Sequence, residues 1–379
     1  MAARDVMIET LLRATVDAGG SDLHLTPGRP PMGRCDGHII AFEGVDMLDD
    51  VDTERFAASL LDHAQLAELA ERKQIDFSFG LSGVGRFRVN VFRQRGSYAL
   101  ALRVIPTRIR GLEELGAPAS LIDLLQRPYG LVLAVGPTGS GKSTTLAAMI
   151  DRINATRSCH ILTIEDPVEY LHHHRMSVVN QREVGSDVID FEQGLRAALR
   201  EDPDVILLGE MRDLESISIA LTLAETGHLV LATLHTNDAA QAFDRVVDVF
   251  PAHRRDQIQV QLASSLQGVV SQRLVRARGG GRVAAYEVLM ATDAVRNLLR
   301  EGKSRQLRNV MVSSQADGMQ TLEMDLARLV TSGSIDLETA MAASMFPKEV
   351  MHLHATQRIP ARAQSVSAAA SIGATVEVR

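Results

Sequence analysis

The sequence predicts an α/β chain. A mixed α/β N-terminal domain (residues 1–107) is followed by a linker (108–120), a doubly wound parallel-sheet domain (121–290), a helical region (291–350) and a disordered tail (351–379). Three observations carry this reading. The apolar run Leu131-Val-Leu-Ala-Val135 leads into Gly136-Pro-Thr-Gly-Ser-Gly-Lys-Ser143 and then into the helix-forming Thr144–Ile150, the strand–loop–helix order of a phosphate-binding P-loop. Beyond it, short continuous apolar runs alternate with helical segments, as expected for parallel strands covered on both faces. Ahead of it, Arg86-Phe-Arg-Val-Asn-Val91 alternates strictly between polar and apolar, the period of a half-buried strand.

The chain has 379 residues, long for one average domain and suited to two separate cores. It is 45% hydrophobic and 23% charged, an ordinary globular balance, and its net charge of −7 speaks against direct nucleic-acid binding. Cys35 and Cys159 lie far apart with no C-x-x-C spacing, so a zinc site or disulfide framework is not expected and a reducing cytoplasm is. The start carries no apolar signal region and no run approaches the length of a membrane span, so any membrane association is expected to be peripheral and through a partner.

In the N-terminal part, Val6–Val16 has helical periodicity closed by Gly19-Gly20, and Ser21–Leu25 reads as a short strand. Val51–Glu71 is helical in composition, but Phe56 and Leu60 share one face while Leu66 and Leu69 share another. Two helices with a break near Asp62, an N-cap residue, fit better than one. Asp76–Ile105 is strand-like, interrupted by glycines, and reads as a meander. Within it Phe87, Val89 and Val91 take one face. Arg86 and Arg88 take the other with Asn90, and Arg93 and Arg95 follow. Such a face is either a solvated edge that discourages aggregation or a guanidinium cluster offered to phosphate.

In the second part the expected strands are Leu131–Val135, His160–Ile164, Val205–Leu208, Leu229–Thr233 and Val283–Val288. The helix after the P-loop, Phe191–Arg200 and Leu214–Ala224 lie between them. In the loop, Gly136, Gly139 and Gly141 permit tight turns, and with Thr138, Ser140 and Thr144 they form the phosphate cradle. Lys142 supplies a cation for the β- and γ-phosphates, and the Ser143 hydroxyl suits Mg²⁺. A nucleoside triphosphate with Mg²⁺ is therefore the expected ligand. Glu210 ends an apolar strand in the manner of a Walker B acid and is the second expected Mg²⁺ partner, directly or through water. Glu169, in Thr163-Ile-Glu-Asp-Pro-Val-Glu-Tyr170, reads equally as a functional acid or as a helix-start acid. His228 and His235 flank a strand, where hydrogen-bonded core histidines are as well accounted for as catalytic ones. The run His172-His-His174 reads as a solvated turn, because adjacent residues do not share a face.

Gly136–Thr144, Ile161–Glu169, Glu201–Asp213 and Ala224–Thr236, in this order, resemble the P-loop, Asp box, Walker B and His box of the secretion-type hexameric ATPases. Gly85–Asn90, Asn180–Gly185, Gly279–Ala285 and Ala294–Glu301 narrow the resemblance to the retraction (twitching-motility) ATPases of type IV pili, over residues 1–350. The resemblance implies a PAS-like N-terminal domain, a RecA-like ATPase core and a homohexamer. It also implies an ATP-hydrolysing motor at the cytoplasmic face of the inner membrane, working on a pilus platform protein. It makes Glu169 the water-activating acid, Arg86, Arg88 and Arg95 nucleotide-sensing arginines, and Glu225, His228 and His235 coupling residues. Arg296, Asn297 and Leu298 fall in a segment tied to retraction. The N-terminal extension and tetracysteine segment common in extension ATPases are missing from the sequence given.

Overall fold

The computed structural model describes residues 5–35, 37–42, 44–106 and 108–358. The described residues fall into two compact units, one formed by those up to 109 with 167–172, the other by 110–166 with 173–358.

The first unit contains helices α1 (Val6–Asp17), α2 (Asp50–Leu60) and α3 (His63–Arg72). Its strands are β1 (Asp22–Leu25), β2 (Met32–Cys35), β3 (His38–Ala41), β4 (Gln74–Leu81), β5 (Gly85–Gln94) and β6 (Ser97–Ile105). The strands form one antiparallel sheet in the order β3-β2-β1-β6-β5-β4. Phe87, Val89 and Val91 of β5 are fully buried and pack with Leu12, Leu23, Phe56 and Leu102. The alternation of β5 thus points one face inward and leaves Arg88 exposed on the other. The break between α2 and α3 falls where expected. Asp62 accepts from Gln65 N–H and donates its own N–H to the Gln65 side chain, a reciprocal cap that starts α3. Strands β2 and β3 have no counterpart among the sequence expectations. β3 is exposed throughout, so its residues carry no burial pattern.

The second unit contains β7 (Gly130–Val135), β8 (His160–Glu165), β9 (Val178–Glu183), β10 (Val205–Leu208), β11 (Leu229–Leu234), β12 (Leu266–Arg276) and β13 (Arg282–Met290). Its helices are α4 (Ser120–Leu125), α5 (Lys142–Thr156), α6 (Phe191–Ala198), α7 (Leu214–Glu225), α8 (Ala239–Asp248) and α9 (Ala252–Ser265). After β13 come α10 (Asp293–Arg300), α11 (Leu307–Ser313), α12 (Leu322–Thr331), α13 (Leu337–Ala343) and α14 (Pro347–Arg358). The sheet order is β13-β12-β7-β11-β10-β8-β9, parallel from β12 to β9. Strands β7, β10 and β11 are buried at every position, which explains their almost wholly apolar runs.

Three expectations are corrected here. Val283–Val288 lies within β13, which is antiparallel to β12 rather than part of the parallel set, because the two strands form a hairpin across Ala277–Gly281. Strands β9 and β12 are additional to the expected set. Asn180, Gln181 and Arg182 interrupt the first with polar groups, and Ser271, Gln272 and Arg273 the second. The helix α14 continues to Arg358, eight residues into the segment expected to be a disordered tail. Val350 anchors it by full burial against Leu326, Leu329 and Ala340. Residues 359–379 of that expected tail lie outside the described residues. In the expected linker, Leu112 is buried and Ser120 begins α4.

Buried charge ties the C-terminal helices to the sheet. Asp325 of α12 accepts from the Tyr286 backbone N–H at 2.8 Å and from Arg328 at 2.6 Å. Arg308 of α11 reaches Glu323 at 3.0 Å and Glu349 at 2.7 Å and lies 4.2 Å from the Phe346 ring centroid. Glu287 of β13 accepts from Ala239 N–H at the start of α8 at 3.1 Å. Burial pushes its carboxyl up to about 7. The Ala239 hydrogen bond opposes that rise, nearby Asp238 and Glu323 add to it, and Arg308 opposes it. A carboxyl raised from 4.5 to about 7 holds its proton more tightly folded than unfolded. The contribution of this group to stability is therefore fully present below pH 4.5, and on the order of 1–3 kcal/mol of it is lost as the pH climbs through about 7. Glu287→Gln keeps an oxygen for Ala239 N–H. We expect it to flatten this part of the Tm–pH profile and to melt above wild type at about pH 8 in a thermal-shift series.

Candidate nucleotide-binding site

Strand β7 ends at Val135, and the chain turns sharply through Gly136 (φ 145°), Gly139 (φ 78°) and Gly141 (φ 90°) before α5 begins at Lys142. A side chain is strained at each of these angles. At Gly136 there is also no room, since an added Cβ would lie 2.4 Å from the Gln272 backbone carbonyl oxygen, and at Gly141 it would lie 2.7 Å from Gln272 Nε2, which would have to move. The loop thus closes around its own backbone with α5, fifteen residues long, directed away from it. Lys142 is buried, and its Nζ donates to the carbonyl oxygens of Gly136 at 2.6 Å and Pro137 at 3.2 Å, which centres the ammonium over the loop. Ser140 is buried as well, and its Oγ has no hydrogen-bond partner among the described residues. Thr138 and Gly139 are exposed at the rim, and Ser143 and Thr144 are half-buried in the first turn of α5. A buried cation, an orphaned hydroxyl and glycines that leave no bulk in the hollow suit a polyphosphate.

Beside it, Glu210 lies just past β10 and His235 just past β11, brought together because those strands are adjacent and parallel. His235 Nε2 is 3.2 Å and Arg212 Nη2 2.7 Å from the same Glu210 carboxylate oxygen. Burial pushes the Glu210 carboxyl upward, but hydrogen bonding and charge from Arg212 and His235 outweigh it and hold the group below its ordinary value. Glu210 is therefore ionised at neutral pH, as an acid that binds a cation directly or through water must be. Sequence reasoning missed Arg212 as its partner. The only signal was the two-residue spacing in Glu210-Met-Arg212, which does not by itself bring the groups together. Glu165, at the end of β8, accepts from Thr163 Oγ1 at 2.7 Å and from Gln181 Nε2 at 3.3 Å.

The remaining candidates are dispersed. Arg86, Arg88 and Arg95 belong to the first unit. Arg88 is exposed, and Arg95 adopts a left-handed backbone (φ 48°) at the β5–β6 turn. Glu169 is exposed on the segment 167–172, which groups with that unit. His228 sits at the start of β11, at the opposite end from His235, with Nδ1 3.0 Å from the Leu223 carbonyl oxygen. Glu225 and Arg296 meet at the carboxyl end of α9. Glu225 accepts from Gln261 at 2.7 Å and Ser264 at 3.3 Å, while Arg296 donates to the carbonyls of Ala263 at 2.6 Å and Ser264 at 2.8 Å. Burial, with Arg300 nearby, lowers the Arg296 pKa from its usual value. Asn297 is exposed and accepts from Arg300 at 2.8 Å, and Leu298 is half-buried. Among the described residues no cluster of metal-ligating side chains occurs around His172–His174, and no helix is long and apolar enough to cross a membrane.

Comparison with known proteins places this geometry in a family. The model for "Type II/IV secretion system protein" matches residues 73–280, which include β4 to β6, the P-loop, Glu210 and both histidines. The chain is 48% identical to the type IV pilus retraction ATPase PilT of Pseudomonas aeruginosa, over 90% of this chain and 99% of that protein. It is 50% identical to a twitching motility protein of Neisseria gonorrhoeae, over 82% of this chain and 83% of that one. A crystal structure of the pilus retraction motor PilT with bound ADP superimposes with a TM-score of 0.86 at 50% identity, covering 91% of this chain and 99% of that one. The chain belongs to the type II/IV secretion system protein family, on an α/β fold in which a P-loop unit of the RecA-like kind follows the antiparallel N-terminal unit.

Proposed function

We propose that this chain is the subunit of a homohexameric, ATP-hydrolysing motor that powers type IV pilus retraction. It acts from the cytoplasmic face of the inner membrane on a pilus platform protein, without direct nucleic-acid binding and with peripheral membrane association through that partner. One observation carries the reading. The likeness to a retraction ATPase runs over nearly the whole length of both chains, and the phosphate cradle with its ionised Glu210 lies intact within it. The −7 charge is in keeping with a motor that works on protein rather than on nucleic acid.

In this reading the loop amides of Gly136–Thr144 hold the phosphates, and Lys142 turns its ammonium from the loop carbonyls to the terminal phosphate oxygens. Ser143 and, directly or through water, Glu210 would hold Mg²⁺, which would supply positive charge against the β- and γ-phosphates. Glu169 orients the attacking water. Arg86 and Arg88, with Arg95, are offered by a neighbouring subunit and supply the compensating positive charge that hydrolysis needs. His235 and Arg212 report the state of the site through their shared hold on Glu210. Glu225, His228, Arg296, Asn297 and Leu298 carry that state to the ring and to the C-terminal helices.

Steady-state ATP hydrolysis tests the chemistry. Lys142→Ala is expected to abolish turnover and Glu169→Gln to lower kcat by about 10²–10⁴-fold. Wild-type rates in the latter would remove Glu169 from the water-activating role. Arg88→Ala should leave the circular dichroism of the monomer unchanged while lowering the ATPase of the assembled ring by about tenfold or more. Equal loss of folded content would count against a role at the subunit boundary. The biological direction is read from a deletion strain. Cells crowded with pili yet unable to move are expected, and bald cells would instead indicate extension.

A further inference from the structure

We propose that Gln272 is a positioning residue for the phosphate loop, locking the turn that bears Lys142 and Ser143 through the Thr145 hydroxyl; this rests on reading that loop as the ATP site. Strand β12 runs parallel to β7 with Val270 beside Ala134 and Ser271 beside Val135, so Gln272 comes level with Gly136, where β7 gives way to the loop. The Gln272 carbonyl oxygen lies against Gly136 and its Nε2 against Gly141, so that a Cβ at the first would fall 2.4 Å from backbone and a Cβ at the second 2.7 Å from the amide nitrogen, which would have to move. Its Oε1 accepts from Thr145 Oγ1 at 2.7 Å. One residue therefore touches both ends of the loop and the helix turn that follows it.

Both partners are buried, Gln272 at 4% exposure and Thr145 at 1%, so breaking this bond would strand polar groups away from water. Among the described residues the Thr145 hydroxyl has one longer alternative, the Tyr286 hydroxyl at 3.5 Å. Tyr286 is the cross-strand partner of Gln272 on β13, and its backbone N–H is taken by Asp325 of α12 at 2.8 Å. The glutamine is thus backed by the C-terminal helices and cannot relax freely toward the loop. Thr145 N–H also bonds the Gly141 carbonyl, so fixing its side chain fixes the rotation of the first turn of α5. Small displacements of a positioned group carry large penalties in binding and turnover.

The test compares Thr145→Ser, Thr145→Val, Gln272→Met and the Val/Met double variant in the full chain. The readouts are fluorescence titration with mant-ADP, KM and kcat for ATP, and Tm. Thr145→Val and Gln272→Met should each weaken mant-ADP binding about three- to tenfold and raise KM by a similar factor, with kcat moving less. Thr145→Ser, which keeps the hydroxyl, should bind within about twofold of wild type, and the double variant should be no weaker than the weaker single one. Wild-type affinity in Thr145→Val, losses that multiply in the double variant, or a fall in Tm without any change in affinity would each overturn the assignment. Should Gln272→Met fail to fold, the Ser and Val forms of Thr145 decide alone. Failure of the wild type itself to bind mant-ADP would instead refute the nucleotide reading of the loop.

Discussion

Everything in the second unit follows from where β7 stops. The strand is buried along its whole length and hemmed by parallel neighbours, β12 on one side and β11 on the other. It can neither lengthen nor slip in register without dragging a fully apolar face out of the core. Its last residue, Val135, therefore delivers Gly136 to a set point, and only glycine accepts the angle and the crowding found there. The phosphate hollow is made by that constraint, with Lys142 drawn inward over backbone oxygens.

The same sheet order gathers the acid. Because β10 and β11 are adjacent and parallel, groups at their carboxyl ends converge, and Glu210 meets His235 although they are distant in the chain. Around this lies a second layer of buried polar links, from Glu287 to the start of α8 and from Asp325 to the backbone of Tyr286. Groups of this kind are expensive to bury unless matched, and here they are matched by backbone N–H groups that join α8 and α12 to β13.

The sequence made some of this legible and hid the rest for physical reasons. The strands β7, β8, β10 and β11 stand out because burial on both faces leaves mostly continuous apolar runs, and β5 because burial on one face leaves alternation. The break at Asp62 was readable because N-capping is local chemistry. Strand β12 was not, since its middle carries Ser271, Gln272 and Arg273 for reasons that lie across the sheet, in the P-loop and in the C-terminal helices. The reach of α14 to Arg358 was hidden for a similar reason. Its own apolar content is low, and one buried valine does the anchoring. In the site, the P-loop residues were evident from spacing, whereas the hold of Arg212 on Glu210 depends on side-chain placement after β10 ends.

The carboxyl end of α9 has a mechanical meaning. Glu225 grips it from α7 and Arg296 grips it from α10, both through groups on Ser264. Turning α10 relative to α7 must therefore tear one of these grips or carry the last turn of α9 along. Helices α7, α9 and α10 are thus joined at one serine, and the seating of the last turn of α9 depends on the helices on either side of it.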